Sequence, residues 1–263
     1  MKTRNQTWLS LFSYVVLLFL YLPLIVLVVY SFNRSRINAV WTGWTFDWYI
    51  SLFQNRQVVE AFFNSLTIAF GTAVFATIFG TLGAYAFYRY KYRQKAVLSG
   101  LIYLPIVLPD ILMGLSLLLL FSFFSVPLGK LTILIAHITF SIPFVFLLVS
   151  TRLQEMNVDL EEAAQDLGAT PWQTFRYITL PILGPSIISS FLLTFSLSLD
   201  DFIISFFVAG PGATTLPIYI YGMVKRGVTP EVNALAALLM MITLITVALA
   251  ERIRKIGDRK QKM

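Results

Sequence analysis

The stretch Asp159-Leu-Glu-Glu-Ala-Ala-Gln-Asp-Leu-Gly168-Ala-Thr-Pro171-Trp-Gln-Thr-Phe-Arg-Tyr-Ile-Thr-Leu-Pro181 joins two long apolar runs and reads as two short helices. Asp159 is placed to cap the first, with Glu162 three residues on as in a capping box. Gly168 suits a left-handed residue that ends it. Thr170 suits the cap of the second helix, with Pro171 at its first position, where a missing N–H costs nothing. Leu160, Ala163, Ala164 and Leu167 recur at helical spacing and form a small-residue stripe fit for close packing. One reading is an amphipathic helix lying on the bilayer. The first helix, however, carries Glu161, Glu162 and Asp166 and no basic residue, whereas helices that bind anionic lipid are rich in Lys and Arg. A protein partner fits better.

Working outward, six segments are apolar enough to span a membrane, for which a helix needs about 20 mostly apolar residues. They run from Trp8 to Phe32, Phe62 to Tyr88, Ala96 to Val126, Leu131 to Ser150, Ile182 to Val208 and Ala234 to Ala250. The third is interrupted by Pro105 and by Pro109-Asp110, and the sixth is short. Pro105, Pro109 and Pro143 are expected to kink their helices, since proline removes a backbone hydrogen bond. The first run is expected to stay in place as a span, because it exceeds a signal-peptide core and no small-residue cleavage site follows.

Composition agrees. Of 263 residues, 57% are hydrophobic and only 13% charged, against about 25% charged in soluble domains. Phenylalanine occurs 23 times, which suits lipid-facing and helix-packing surfaces. With no cysteine, disulfides, thiolate metal sites and cysteine nucleophiles are excluded. The net charge of +7 lies between apolar runs and at the C-terminus, which is the pattern of membrane topology and not of nucleic-acid binding.

With the N-terminus inside, the inner segments hold Lys2, Arg4, Arg89, Lys91, Arg93, Lys95, Arg152, Arg176, Arg252, Arg254, Lys255, Arg259, Lys260 and Lys262. The outer ones hold Arg34, Arg36, Arg56, Lys130, Lys225 and Arg226. The excess of basic residues places both termini in the cytoplasm. Residues 33–61 form the longest outer connection, with Trp41, Trp44, Trp48 and Tyr49. Two readings stand for them: an aromatic belt at the membrane surface, or a docking surface for an outside partner. Residues 151–181 form a long inner connection. No internal repeat is visible, and residues 1–263 are expected to form one domain.

The run Glu162-Ala163-Ala164, three residues, Gly168, nine residues, Ile178-Thr179-Leu180-Pro181 resembles the EAA loop of bacterial ABC importer permeases, and the spacing agrees in full. The resemblance implies an all-α, polytopic membrane protein with six transmembrane helices and the type I ABC importer permease fold. Its core would lie at about 62–250 and its coupling loop at 151–181. It implies that Glu162, Ala163, Ala164, Gly168, Leu180 and Pro181 couple the chain to an ATPase. The stretches Tyr88-Arg89-Tyr90, His137-Ile-Thr-Phe-Ser-Ile-Pro143-Phe-Val, Ser198-Leu-Asp-Asp201, Leu216-Pro217 and Arg226-Gly-Val-Thr-Pro-Glu231-Val-Asn-Ala234 are similar to the C-type permease subunits of spermidine/putrescine transporters. A transport subunit of the bacterial inner membrane is implied, with no cofactor. Expected partners are a second permease subunit, two ATPase subunits and an extracytoplasmic polyamine-binding protein. Permeases for ferric iron, molybdate or other small solutes are the alternative.

Carboxylates in a bilayer are costly and normally face a cavity or a partner. By rise per residue, Asp200 lies roughly 24 Å from Gly184 at the inner end of its span, and Asp110 roughly 21 Å from Ala96. Both estimates fall in the outer half of the membrane, as does neighbouring Asp201. On a continuous helix Ser186, Ser190, Thr194, Ser198, Asp201 and Ser205 share an arc of about 120°. Asp110, Asp200, Asp201, Ser198 and Thr194 are therefore candidates for a substrate path. The competing reading is helix packing by small polar residues, with the acids capping or pairing structurally. His137, the single histidine, reads more readily as a neutral hydrogen-bonding residue than as a ligand, and no metal site is expected. Gly210-Pro211-Gly212 reads as a turn.

No phosphate-binding Gly-x-x-x-x-Gly-Lys-Ser/Thr occurs, because Gly129-Lys130 is followed by Leu131. ATP hydrolysis is expected on another chain, and the protein itself is expected not to be an enzyme. An intramembrane aspartyl protease is disfavoured, since Gly-x-Gly-Asp is absent and adjacent Asp200 and Asp201 would point about 100° apart on a helix. A stand-alone secondary transporter would leave the EAA loop without purpose and shows no inverted repeat.

Overall fold

The computed structural model describes residues 4–35, 40–90, 93–157 and 159–261, without the side chains of 4–7 and 257–261. Lys2, Arg36, Lys91 and Lys262, counted in the charge balance, lie outside the described residues. Apolar runs this long satisfy their backbone polar groups internally only as helices. The elements in order are α1 (Arg4–Tyr30), α2 (Asp47–Gln54), α3 (Arg56–Arg89), α4 (Lys95–Val107), α5 (Asp110–Phe123), α6 (Lys130–Glu155), α7 (Asp159–Asp166), α8 (Pro171–Thr174), a π-helical turn (Phe175–Thr179), α9 (Leu180–Asp200), α10 (Ile203–Val208), α11 (Leu216–Arg226) and α12 (Pro230–Gln261). Among the described residues the one β contact is an isolated bridge between Asn33 and Trp44.

Five stretches are long and apolar enough to cross a membrane: Trp8–Tyr30, Arg56–Arg89, Lys130–Glu155, Pro171–Asp200 and Pro230–Ile256. The pair α4 and α5, bent by 109°, makes a sixth when taken as one span. The expected third span is therefore two half-helices. Pro109 explains the break, because Leu108, the residue before it, is held in an extended conformation (ψ 137°) and cannot continue α4. Pro105 and Pro143 lie inside α4 and α6, which continue through them. The fifth span also departs from expectation. It does not run unbroken to Val208: α9 ends at Asp200, Asp201 is extended (ψ 122°), and α10 starts at Ile203.

The chain forms two compact units. The first comprises residues 1–59 and 219–241. The large apolar side chains of α1 from Trp8 to Ile25 are exposed. The connection between α1 and α3 is built around Asn33, which is fully buried. Its Nδ2 donates to the Val40 carbonyl at 2.9 Å, and its Oδ1 accepts from the Thr42 N–H at 3.1 Å. Its carbonyl accepts from Trp48 Nε1 at 2.8 Å. Phe32 packs against Trp44, Phe46 and Tyr49 with ring centroids 5.2–5.9 Å apart. Trp48 and Tyr49 thus brace the connection, while Trp44 and Phe46 remain exposed.

The second unit comprises residues 60–218 and 242–263. α6 is its central element and packs against α4, α5, α9 and α10. One core cluster joins Ile68, Met113, Leu117, Phe121, Ile133, Ala136, Ile204 and Val208. A second joins Ala76, Ala84, Val145, Phe146, Val149, Leu153 and Leu183. Small residues on α3 permit its close approach to α6: a Cβ on Gly80 would lie 2.6 Å from that of Val145. Small hydroxyls tie α9 to α12, with Ser189 Oγ donating to the Ala250 carbonyl at 3.0 Å and Thr246 Oγ1 to Ser196 Oγ at 3.3 Å. The Gly210–Gly212 stretch is a turn, with the Ala213 N–H bonded to the Gly210 carbonyl at 3.1 Å.

Candidate functional site: a docking loop and a buried polar node

The loop expected at 151–181 is shorter than its sequence implied, because α6 continues to Glu155 and the helical stretch leading into α9 begins at Pro171. Asn157 takes the capping role expected of Asp159: its Oδ1 accepts the Asp159 N–H at 3.1 Å, and Asp159 is already within α7. The C-terminal end follows the sequence closely. Gly168 is left-handed (φ 89°), its N–H reaches the Gln165 carbonyl at 2.9 Å, and the Ala169 N–H reaches that of Ala164 at 3.0 Å. This is the Schellman pattern that satisfies the last carbonyls of a helix. Thr170 and Gln173 form a reciprocal capping box, with bonds of 3.3 and 2.8 Å, and Pro171 follows the cap.

The π-helical turn has a local cause. Pro181 has no N–H to give to the Tyr177 carbonyl, and its ring crowds that carbonyl, so α-helical register fails just before it. The Leu180 N–H bonds instead to the Phe175 carbonyl, five residues back. Leu180 and Pro181 thus shape the junction between loop and span.

The loop presents a mixed surface. Glu162, Ala163, Gly168 and Pro181 are exposed, and Ala164 is half-buried. Leu160, Leu167, Trp172 and Tyr177 are exposed apolar side chains, with Leu167 at 91%. The stripe at Leu160, Ala163, Ala164 and Leu167 therefore faces outward from this chain. Glu161, in contrast, is 2% exposed. It accepts a hydrogen bond from the Thr179 hydroxyl and lies 3.8 Å from Arg89. In the sequence Glu161 stands with Glu162 and Asp166 as an acid of the partner-facing helix, with nothing to single it out. Its spacing from Thr179, one span-foot away, carries no local signal.

Within the membrane segments the candidate residues separate into two groups. Ser198 and Asp201 meet at His137. Nδ1 of the histidine lies 2.7 Å from Ser198 Oγ, and Nε2 lies 3.1 Å from Asp201 Oδ2 and 3.0 Å from Ser205 Oγ. Asp201 also accepts the N–H groups of Ile204 at 3.3 Å and Ser205 at 2.8 Å, so it caps the first turn of α10. A helical wheel drawn through Ser205 is therefore not valid beyond Asp200. Thr194 is fully buried, and its hydroxyl returns to the Ser190 carbonyl of its own helix at 2.9 Å.

Asp200 and Asp110 are exposed, whereas His137, Ser198 and Ser205 of that node are buried. Asp110 opens α5, where the helix dipole favours an acid. Asp200 closes α9, where the dipole disfavours an acid and favours a cation beside it. Among the described residues no group of three or more His, Cys, Asp or Glu is placed to hold a metal.

Residues 76–262 match the family described as binding-protein-dependent transport system inner membrane component. The chain is 44% identical over 237 residues to the spermidine/putrescine transport system permease protein PotC of Escherichia coli K12, covering 90% of each. It is 46% identical over 229 residues to the putrescine transport system permease protein PotI of the same strain, covering 84% of this chain and 82% of that one. In structure it is similar to a bacterial ABC transporter involved in the import of the acidic polysaccharide alginate. That match has a TM-score of 0.71 at 21% identity and covers 96% of this chain and 97% of the other. The inward-facing MetNI methionine ABC transporter matches with a TM-score of 0.64 at 19% identity, over 76% and 95% of the two chains. These two likenesses show the fold. The helical spans and the family match agree, and the chain belongs to the binding-protein-dependent transport system inner membrane components, the permease subunits of ABC transporters.

Proposed function

We propose that this permease moves spermidine and putrescine across the cytoplasmic membrane, driven by ATP hydrolysis on a separate chain. The observation that carries the substrate is its 44–46% identity, over most of the chain, to permeases named for those polyamines. Residues 1–263 act as one permease domain with both termini in the cytoplasm. A second permease subunit completes the path, two ATPase subunits bind inside, and an extracytoplasmic polyamine-binding protein delivers the substrate. Glu162, Ala163, Ala164 and Gly168 form the surface that seats on the ATPase, and Leu180 and Pro181 set the foot of the span behind it.

Asp110, Asp200, Asp201, Ser198 and Thr194 belong to the substrate path in this proposal. Polyamines carry several ammonium groups, so a path for them needs carboxylates and hydrogen-bond acceptors. The exposed pair Asp110 and Asp200 supports direct contact with the cation. Ser198, Asp201 and Thr194 support the wall behind it. The test is uptake of labelled spermidine into proteoliposomes holding the complex purified through this chain. Uptake should require both ATP and the binding protein, and excess putrescine should compete with it. Uptake of another solute class with no competition by polyamines would overturn the substrate assignment.

A further inference from the structure

We propose that Glu161 is a positioning residue that fastens the ATPase-docking helix to two membrane spans and so passes the stroke of the ATPase into them. This rests on the reading of α7 as the docking helix. Three elements meet at one buried carboxylate. Glu161 lies in the first turn of α7, where the helix dipole favours its charge. Thr179, whose hydroxyl donates to it, is the last residue of the π-helical turn at the foot of α9. Arg89, at 3.8 Å, is the last residue of α3. Thr179 is fully buried, Glu161 nearly so, and Arg89 about one-third exposed.

A second contact runs parallel to the first. The Tyr85 ring of α3 packs on Phe175 of the π turn with centroids 4.7 Å apart, and Phe175 packs on Trp172 of α8 at 5.7 Å. The inner end of α3 is thereby held to both halves of the loop. Glu162, the next residue, points out to solvent. Adjacent acids thus divide the work, with Glu162 on the face offered to the ATPase and Glu161 locking that face to the spans. A displacement of α7 must either carry α3 and α9 with it or break a buried, charge-assisted hydrogen bond. The π turn beside the clasp is where α-helical hydrogen bonding gives way between α8 and α9. Without the clasp, movement of the loop would be absorbed there.

The experiment measures spermidine transported per ATP hydrolysed, in proteoliposomes holding the complex purified with its ATPase. Thr179→Val keeps the shape and removes the donor. It should leave the ATPase bound and hydrolysing while transport per ATP falls by at least about fivefold, the low end of usual coupling strengths. Thr179→Ser should restore the ratio, which a purely packing role would not predict. Arg89→Gln, at a partly exposed position, should lower the ratio in the same direction but by less. A wild-type ratio in Thr179→Val, or a Thr179→Ser protein as defective as the valine variant, would overturn the clasp and leave the docking assignment intact. A wild-type preparation that brings down no ATPase would overturn the docking assignment, and with it the clasp.

Discussion

His137 and Asp201, 64 positions apart in sequence, hold each other at 3.1 Å across the break between α9 and α10. The imidazole is 2% exposed and the carboxylate side chain 10%. Four polar side chains from three helical segments and the break converge there, where hydrocarbon would leave any one of them costly if unpaired.

Removing one partner of such a node should harm more than removing both. His137→Ala leaves the buried Asp201 carboxylate without its imidazole partner, held by its backbone donors from Ile204 and Ser205, at a cost of about 1–3 kcal/mol. The His137→Ala, Asp201→Asn double variant should be less destabilised than the sum of the singles. Thermal melting of the detergent-solubilised protein measures this, and strict additivity would show that the two side chains do not interact.

Asp200 and Asp201 should separate cleanly. Asp200→Asn should lower spermidine uptake with little change in melting temperature, because the side chain is exposed. Asp201→Asn should lower the melting temperature as well, since it weakens the cap on α10 and the bond to His137. Normal uptake in an Asp110→Asn, Asp200→Asn double variant would remove these acids from the path.

Gly168→Val tests the docking loop. A Cβ there meets nothing within 4 Å, so the substitution does not clash. Its cost is the left-handed backbone at φ 89°, about 1–2 kcal/mol for an L-residue. The variant should insert in the membrane and melt slightly below the wild-type temperature, yet retain much less ATPase on purification. Full ATPase recovery and full transport would count against the docking role.

Gly80→Val should act in the opposite way. Its new methyl groups would meet the Val145 side chain, whose Cβ lies 2.6 Å from the position of an added Cβ. Overpacking of this kind costs about 1–3 kcal/mol, so yield and melting temperature should fall without selective loss of ATPase binding. An unchanged melting temperature would mean that α3 and α6 are not so closely apposed.

Topology has a direct test. Cysteines at Gln57 and Gln261 should react with impermeant reagents from opposite sides of the membrane. Labelling of both from one side would refute cytoplasmic placement of both termini.

Much of this fold was legible because its signals are local. Twenty-residue apolar runs, the Thr170–Pro171 start and the Gly168 stop each depend on neighbours in sequence, and each appears in the structure. The break at Asp201 was missed because an apolar run conceals it: Phe202-Ile-Ile-Ser-Phe-Phe reads as more span, and only the capping bonds to Ile204 and Ser205 reveal a new helix start. Glu161 was missed for a different reason. Its partners Thr179 and Arg89 come from distant segments, and helical periodicity says nothing about which of two adjacent acids turns inward.

The π turn at Phe175–Thr179 sets the angular phase between the loop helices and α9. A turn that bonds five residues back accommodates one residue more than its α-helical equivalent. Closing the same residues as regular α-helix, without the wider turn, would rotate everything upstream by about 100° relative to α9. Glu162 and Gly168 would then face a different direction with their own sequence untouched. The loop and the span are in this sense keyed to each other, so a loop transplanted between permeases must bring its π turn and the proline after it to arrive in the correct orientation.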